Sequence, residues 1–453
     1  MKFSRDPEPE TVQSPRGKGR RFWLLLIGVP LGFVTLALLG WVISAQSGLS
    51  TAVAEADTTD PGWRLEDIEA KRIKPLDTEN AALVIAQIKQ TPLSGAFNNR
   101  LDDYLQHLDP PKLLNEQQQG AVKNGLSFHG PHIPLARTLR DKPHGRHDIA
   151  WAANSFATLL KCQDNRTAAQ GLRYDILDRC QAGDIDGAIA SCIACFHAGS
   201  SIGDEPTTIS MLVRIAVQAV AVGLIERTLA QGEPSPGILA ELQQRLEAEE
   251  PAPLLLFATR GERAMSNHFF DNLRTANLGP NPITGAVGGG GAGTAVLDWL
   301  AMLPGFVSSQ QSGCLRLTNK VVEIARQPPE TWAPQFNQIR AEIPNLPILA
   351  RLLAPAIDKV ADACRRNHAI LRCTIVAVAM ERYRKEKGRW PETIAEVVTA
   401  GYLKAVPTDP FDGKPLRYQR AKEGVVVYSV GPDGKEGKPG SRRFERRDDA
   451  DLS

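Results

Sequence analysis

The chain has 453 residues, 42% of them hydrophobic and 23% charged, ordinary globular proportions that exclude both wholesale disorder and a polytopic membrane protein. Lys+Arg 53 against Asp+Glu 51 leaves a formal charge of +2, too small an excess for a nucleic-acid binder, which concentrates basic charge. Seven cysteines is an odd number, so they cannot all pair within one chain.

The first element in chain order is Phe22 to Ile43, 22 residues without a charge. At about 1.5 Å per residue a helix of that length crosses a hydrocarbon core about 30 Å thick. Trp23 and Trp41 stand near its ends, where amphipathic rings prefer to lie. Arg16, Lys18, Arg20 and Arg21 precede it, and no basic residue follows before Arg64. The positive-inside rule then keeps residues 1–21 in the cytoplasm, makes 22–44 a transmembrane helix and exports the rest. A cleaved signal peptide is the competing reading, with Ala52-Val53-Ala54 as its cleavage site, but its apolar region would be shorter. All seven cysteines fall on the exported side, where disulfides are chemically permitted.

Residues 45–62, rich in Ser, Thr, Ala, Asp and Gly, read as a polar linker. From 63 to 355 the pattern is helical. Asp77-Thr78 is a cap for a helix over Ala81 to Ile88, and Asn115 to Val122 and Trp151 to Leu160 read as further helices. Gln170 to Ala182 and Ile185 to His197 form an αα-hairpin around Gly183-Asp184. Ile209 to Leu229 is apolar enough to resemble a second span, but Arg214, Gln218 and Glu226 interrupt it, which predicts a buried core helix. Gly237 to Glu250 and Leu254 to Leu278 complete the series. An all-α stack names no function by itself.

Four constellations could carry chemistry. The run Gly288 to Gly291, followed by Ala292, Gly293 and Thr294, has glycine spacing for a phosphate loop but neither the preceding strand nor the lysine, so a flexible loop is expected. Gly199-Ser200-Ser201-Ile202-Gly203 matches G-x-S-x-G with His197 and Asp204 beside it, yet a nucleophile elbow needs a strand before its serine. Cys192 and Cys195 share a helix face and read first as small buried hydrophobes, then as a disulfide. His129, His132, His144 and His147 are spaced so that loops could converge on one zinc, but the Gly and Pro around them favour solvated loops, with zinc as the alternative.

From Ala361 the pattern changes. Ala369, Cys373, Val376, Met380 and Tyr383 mark an amphipathic stripe on a long helix that Gly388 ends, and Thr393 to Ala400 is a shorter helix. Pro415 to Tyr418 and Val425 to Ser429 read as strands joined by a turn at Lys422-Glu423-Gly424. Within this stretch stand Met380-Glu381-Arg382-Tyr383, Gly388-Arg389-Trp390-Pro391, Tyr402-Leu403, Pro407, Asp409-Pro410-Phe411, Gly413, Pro415, Tyr418 and Tyr428-Ser429-Val430-Gly431-Pro432-Asp433-Gly434. Together with the acidic ending Asp448 to Leu452 they resemble the C-terminal part of the major pseudopilin of type II secretion systems. The resemblance implies an α+β fold and a calcium ion held by oxygen ligands, for which Asp433, Asp449 and Asp451 are the matching positions.

The expected architecture is therefore mostly α: an N-terminal transmembrane helix, an all-α helical domain over 63–355 and a C-terminal α+β pseudopilin-like domain over 356–453. The expected function is a single-pass membrane-anchored envelope protein of interaction or scaffold type, non-catalytic, with protein partners in the envelope and no nucleic acid. The alternative is an exported hydrolase or metal-dependent enzyme using Ser201 or the four histidines.

Overall fold

The computed structural model describes residues 18–453 apart from 96, 107, 276–291, 304, 422–423, 435–442 and 446–453. The described chain is mostly helical. Its first helix, α1 (Lys18–Thr59), is 42 residues long, about 63 Å at helical rise. Exposure divides it in two. Leu31, Phe33, Leu36 and Ile43 are exposed, whereas Ala45, Leu49, Ala52 and Ala56 are buried. Those four recur at spacings of 4, 3 and 4, one helical face, and its small residues let a neighbouring backbone approach closely. The expected linker over 45–62 is thus helical through Thr59. Its polar composition concealed the stripe, because up to Thr59 the Ser, Thr and Asp residues occupy outward positions.

The neighbours that follow are α2 (Leu65–Lys71), α3 (Ala81–Gln90), α4 (Asn99–Asp102), α5 (Glu116–His129) and α6 (Ile133–Arg137). The cap of α3 is Asn80 and not Asp77-Thr78: its side chain accepts from the Ala82 amide at 3.1 Å. Trp151 to Leu160, expected as a helix, holds only a short 3-10 turn at Ser155–Ala157. There Asn154 accepts from the Phe156 amide and Ser155 Oγ donates to Met265 O at 2.7 Å, so local side-chain bonds and tertiary contact replace a helical ladder.

The hairpin α7 (Asp164–Gln181) and α8 (Ile185–Ser200) forms as expected, turning at Gly183 with φ +78° and capped by Asp184, which accepts from the Gly187 amide. Past its first turn, where Asp186 is exposed, helix α8 is largely apolar and correspondingly almost wholly buried. It packs on α9 (Thr208–Gln231), which is largely buried. The polar residues that interrupt α9 are satisfied within the protein: Arg214 Nε and Gln218 Nε2 donate to Glu249 Oε1 at 2.8 and 2.5 Å. Glu249 ends α10 (Pro236–Glu249), and α11 (Leu254–Arg274) comes next.

Next come α12 (Ala292–Leu300), α13 (Phe306–Ala325), α14 (Trp332–Glu342) and the 40-residue α15 (Ile348–Lys387). Helix α15 runs straight through the expected boundary at 355/356. It ends at Gly388, whose φ of +71° suits a helix C-terminus. After the short α16 (Ile394–Thr399), strands β1 (Arg417–Arg420), β2 (Gly424–Tyr428) and β3 (Arg443–Glu445) form an antiparallel sheet in the order β1-β2-β3. Tyr418 pairs with Val427, and Val425 with Phe444. Val425 and Val427 join the same buried cluster as Ala81, Leu172, Ile189 and Val376, so helices and sheet share one core.

Candidate functional site

Each constellation singled out in the sequence has a definite place. His129 closes α5, stacks on Tyr174 with ring centroids 5.6 Å apart and meets His132 edge-on at 5.9 Å. His132 Nε2 lies 2.7 Å from Thr91 O. His147 Nε2 lies 3.2 Å from Asn165 Oδ1, deep in the fold, while His144 is exposed. Three of the four are thus buried, against the expectation of solvated loops. Among the described residues no group of three or more His, Cys, Asp or Glu side chains is arranged to hold a metal ion. The three buried histidines pack within the fold. Burial pushes His147 down to about 4, and burial together with the charge of His132 does the same to His129.

This depression has a sign that can be tested. Between its folded value of about 4 and the ordinary 6.5, His147 binds a proton only in the unfolded chain, so stability rises with pH across that interval. The contribution is complete above 6.5 and is lost as pH falls toward 4. In the wild type, unfolding midpoints in urea should therefore rise from pH 4 to 7, and His147→Gln should remove about 1.4 kcal/mol per pH unit from that slope. An unchanged slope would contradict the assignment.

The G-x-S-x-G run is a helix-end turn. Ser201 is fully buried, its Oγ donates to Ala198 O at 2.9 Å, and it accepts from Asn165 Nδ2 at 2.7 Å. His197 turns away to Leu139 O at 2.9 Å, and Asp204 takes the Ile73 amide and Arg72. The only bond between His197 and Ser201 is main-chain, Ser201 N to His197 O at 2.8 Å, and the imidazole does not reach the hydroxyl. What the glycines provide is room. A Cβ on Gly145 would lie 2.2 Å from Ser201 O, and one on Gly203, at φ +66°, would lie 2.3 Å from Gly145 O. The histidine segment and the serine motif are two sides of one backbone crossing, and Asn165 bonds to both.

All seven cysteines are free and buried, Cys192 and Cys195 included. Burial pushes the Cys195 thiol up to about 12, which suppresses the thiolate that redox chemistry needs. Residues 276–291, with the glycine run, lie outside the described residues.

In the C-terminal module the dominant carboxylate is Asp409, fully buried. It accepts from the Phe411 and Val430 amides at 2.9 and 2.8 Å, from Ser429 Oγ at 2.8 Å and from Arg417 at 3.1 Å. These bonds fasten the turn after α16 to the end of β2. Asp409→Ala should cost about 2 kcal/mol, since several buried donors lose their acceptor together. Thermal melting would measure it, and a loss within error would contradict the role. Of the expected calcium positions, Asp433 is exposed on a turn between Gly431 and Gly434, both at positive φ. Asp449 and Asp451 lie outside the described residues.

No protein-family model matches the chain, and no curated protein or solved structure matches it. The pseudopilin resemblance rests on its own residues.

The arrangement that sequence reading missed is the seat of α1. Its stripe packs against α13, and Trp63 and Leu315 close the same cluster. Three bonds track the two helices outward in parallel: Ser308 Oγ to Gln46 Oε1 at 3.2 Å, Asn319 Nδ2 to Ala52 O at 3.3 Å, and Arg326 to Thr59 O at 3.1 Å. At the far end Asp60, buried, accepts from Arg260 at 2.8 Å and Arg326 at 2.9 Å, and pairs with Arg263, which is itself wholly buried. Burial alone would raise the Asp60 carboxyl, but Arg260 and Arg263 outweigh it and hold it below the usual carboxylate value. The Arg263 guanidinium also faces the Trp63 ring at 5.3 Å. The 4-3-4 spacing of Ala45, Leu49, Ala52 and Ala56 was the available signal.

Proposed function

We propose that the chain is a single-pass, membrane-anchored envelope protein whose exported part is a non-catalytic interaction or scaffold module. The observation that carries this reading is the division of α1. Its apolar part, with Leu31, Phe33 and Leu36 more than 60% exposed among the described residues, is long enough to span a bilayer. The part beyond Ile43 is docked on α13 by the bonds just described, so the span continues into a stalk of about 25 Å without a hinge. Such a helix holds a domain at a set height and orientation over the membrane, which suits presentation of a surface to neighbouring proteins. Arg16, Lys18, Arg20 and Arg21 keep the N-terminus in the cytoplasm in this reading. The C-terminal module joins it through its pseudopilin-like residues, as a fold reused for contacts between envelope proteins.

The test is extraction and topology. The full chain should stay with membranes through alkaline carbonate washing, and protease added to spheroplasts should digest the bulk while an N-terminal tag stays protected until lysis. Release by carbonate, or digestion of the tag from outside, would overturn the reading.

A further inference from the structure

The exposed apolar surface does not end with α1. Between Arg274 and Arg316 the only charged residue is Asp298, in a chain that is 23% charged. Helix α12 lies in that interval. It turns Leu297 inward and buries Asp298, yet it leaves Val296 at 54% and Trp299 at 59% exposure. The turn that follows adds Met302 at 79% and Leu303 at 38%. A helix apolar on both faces needs a partner on its outer one.

Its position identifies the partner. Consecutive short turns (Met302 N to Trp299 O at 3.1 Å, Phe306 N to Leu303 O at 3.2 Å) keep the segment compact up to Gly305. Gly305 touches α1: a Cβ there would lie 3.2 Å from Val42 Cα and 3.4 Å from the Trp41 ring. Its φ of +85° and this close approach both suit glycine. Trp41 and Val42 stand at the outer end of the apolar run Phe22 to Ile43, the level where a bilayer's interface and its aromatic belt lie. Helix α13 starts at that level and leads away from it beside α1.

We propose that α12 and the turn after it form a second membrane contact, with Val296, Trp299, Met302 and Leu303 lying in the extracytoplasmic interface of the bilayer beside Trp41. The partner is lipid, since the patch is apolar and continuous with the end of the span. Two contacts beside each other fix the rotation of the domain about the α1 axis, which a single helix leaves free. This inference rests on the anchored reading above.

The experiment uses the full chain in vesicles of phosphatidylethanolamine and phosphatidylglycerol, with a nitroxide label on single introduced cysteines. The buried native thiols supply the unlabelled background. Met302→Cys, Phe33→Cys and the exposed Lys404→Cys are compared by collision with oxygen, which prefers lipid, and with a water-soluble nickel chelate. The expected result is a high oxygen-to-nickel ratio at 302 and 33 and a low one at 404. A low ratio at 302 with a high one at 33 would overturn the second contact and leave the anchor standing. Low ratios at both would remove the anchor and this inference with it. Protection of 302 from both reagents would mean cover by protein, such as a second copy, and would also overturn it. Val296→Cys carries the same label on the same exposed surface and must agree, which keeps the test decisive if Met302→Cys folds poorly.

Discussion

Replacing Asp60 with alanine is expected to destabilise the protein by about 3–5 kcal/mol, the range for breaking a buried ion pair by removing one partner. The reason is charge. One carboxylate serves Arg260, Arg263 and Arg326, and Arg263 has no exposed side-chain surface through which water could replace it. Asp60→Asn should cost nearly as much, because shape is kept while three guanidinium groups lose their counter-charge. Changing Asp60 and Arg263 together to apolar residues should recover part of the loss, since the uncompensated buried charge goes with them. The pH dependence follows from the lowered carboxyl: its contribution is fully present above the ordinary value of 3.8 and disappears as pH falls through the folded value. Unfolding of the full chain in detergent would measure all of these. An Asp60→Ala loss below 1 kcal/mol would mean that the cluster is solvated and does not seat α1.

Gly145→Ala is expected to cost about 3 kcal/mol, the upper end of ordinary overpacking, because the new methyl meets main chain rather than a movable side chain. Gly203→Ala adds the penalty of a left-handed backbone to a contact of 2.3 Å and should be at least as damaging. Ser201→Ala, by contrast, removes two hydrogen bonds, one to Ala198 O and one from Asn165, yet Asn165 still donates to Ala198 O at 2.6 Å and neither partner is orphaned, so about 1 kcal/mol is expected. This order, glycines far above serine, is the opposite of what a nucleophile elbow predicts for activity. Chemical denaturation of the three variants decides it: a serine variant as unstable as the glycine variants would refute the crossing as the reason for the motif.

The helices were legible where pattern and punctuation agreed. Gly183-Asp184 turned the α7–α8 hairpin, Gly388 stopped α15, and the polar residues in α9 marked it as internal, because each of these signals acts within a few residues of chain. The 45–62 stretch has the composition of a linker, while its helix is carried by the 4-3-4 spacing of Ala45, Leu49, Ala52 and Ala56. Trp151 to Leu160 misled because its contacts with Asn154 and Met265 outweigh weak helix propensity. The sites were much less legible. His129, His132 and His147 stand among Gly and Pro, which suggests exposure, yet burial is conferred by Tyr174, Thr91 and Asn165, which lie elsewhere in the chain.

By itself the sequence determined an uncharged run long enough to span a bilayer, a mostly helical chain behind it and the residues of the C-terminal module. These follow from periodicity and local backbone preference, which need no knowledge of distant partners. Only the tertiary structure decided that α1 continues as a docked stalk, that Asp60 gathers three arginines, and that Gly145 crosses Gly203. Asp60 and Arg263 are 203 positions apart, and their pairing exists only once α1 lies beside α11 and α13. Burial and charge pairing are properties of that assembled packing, and no local window of sequence contains both members.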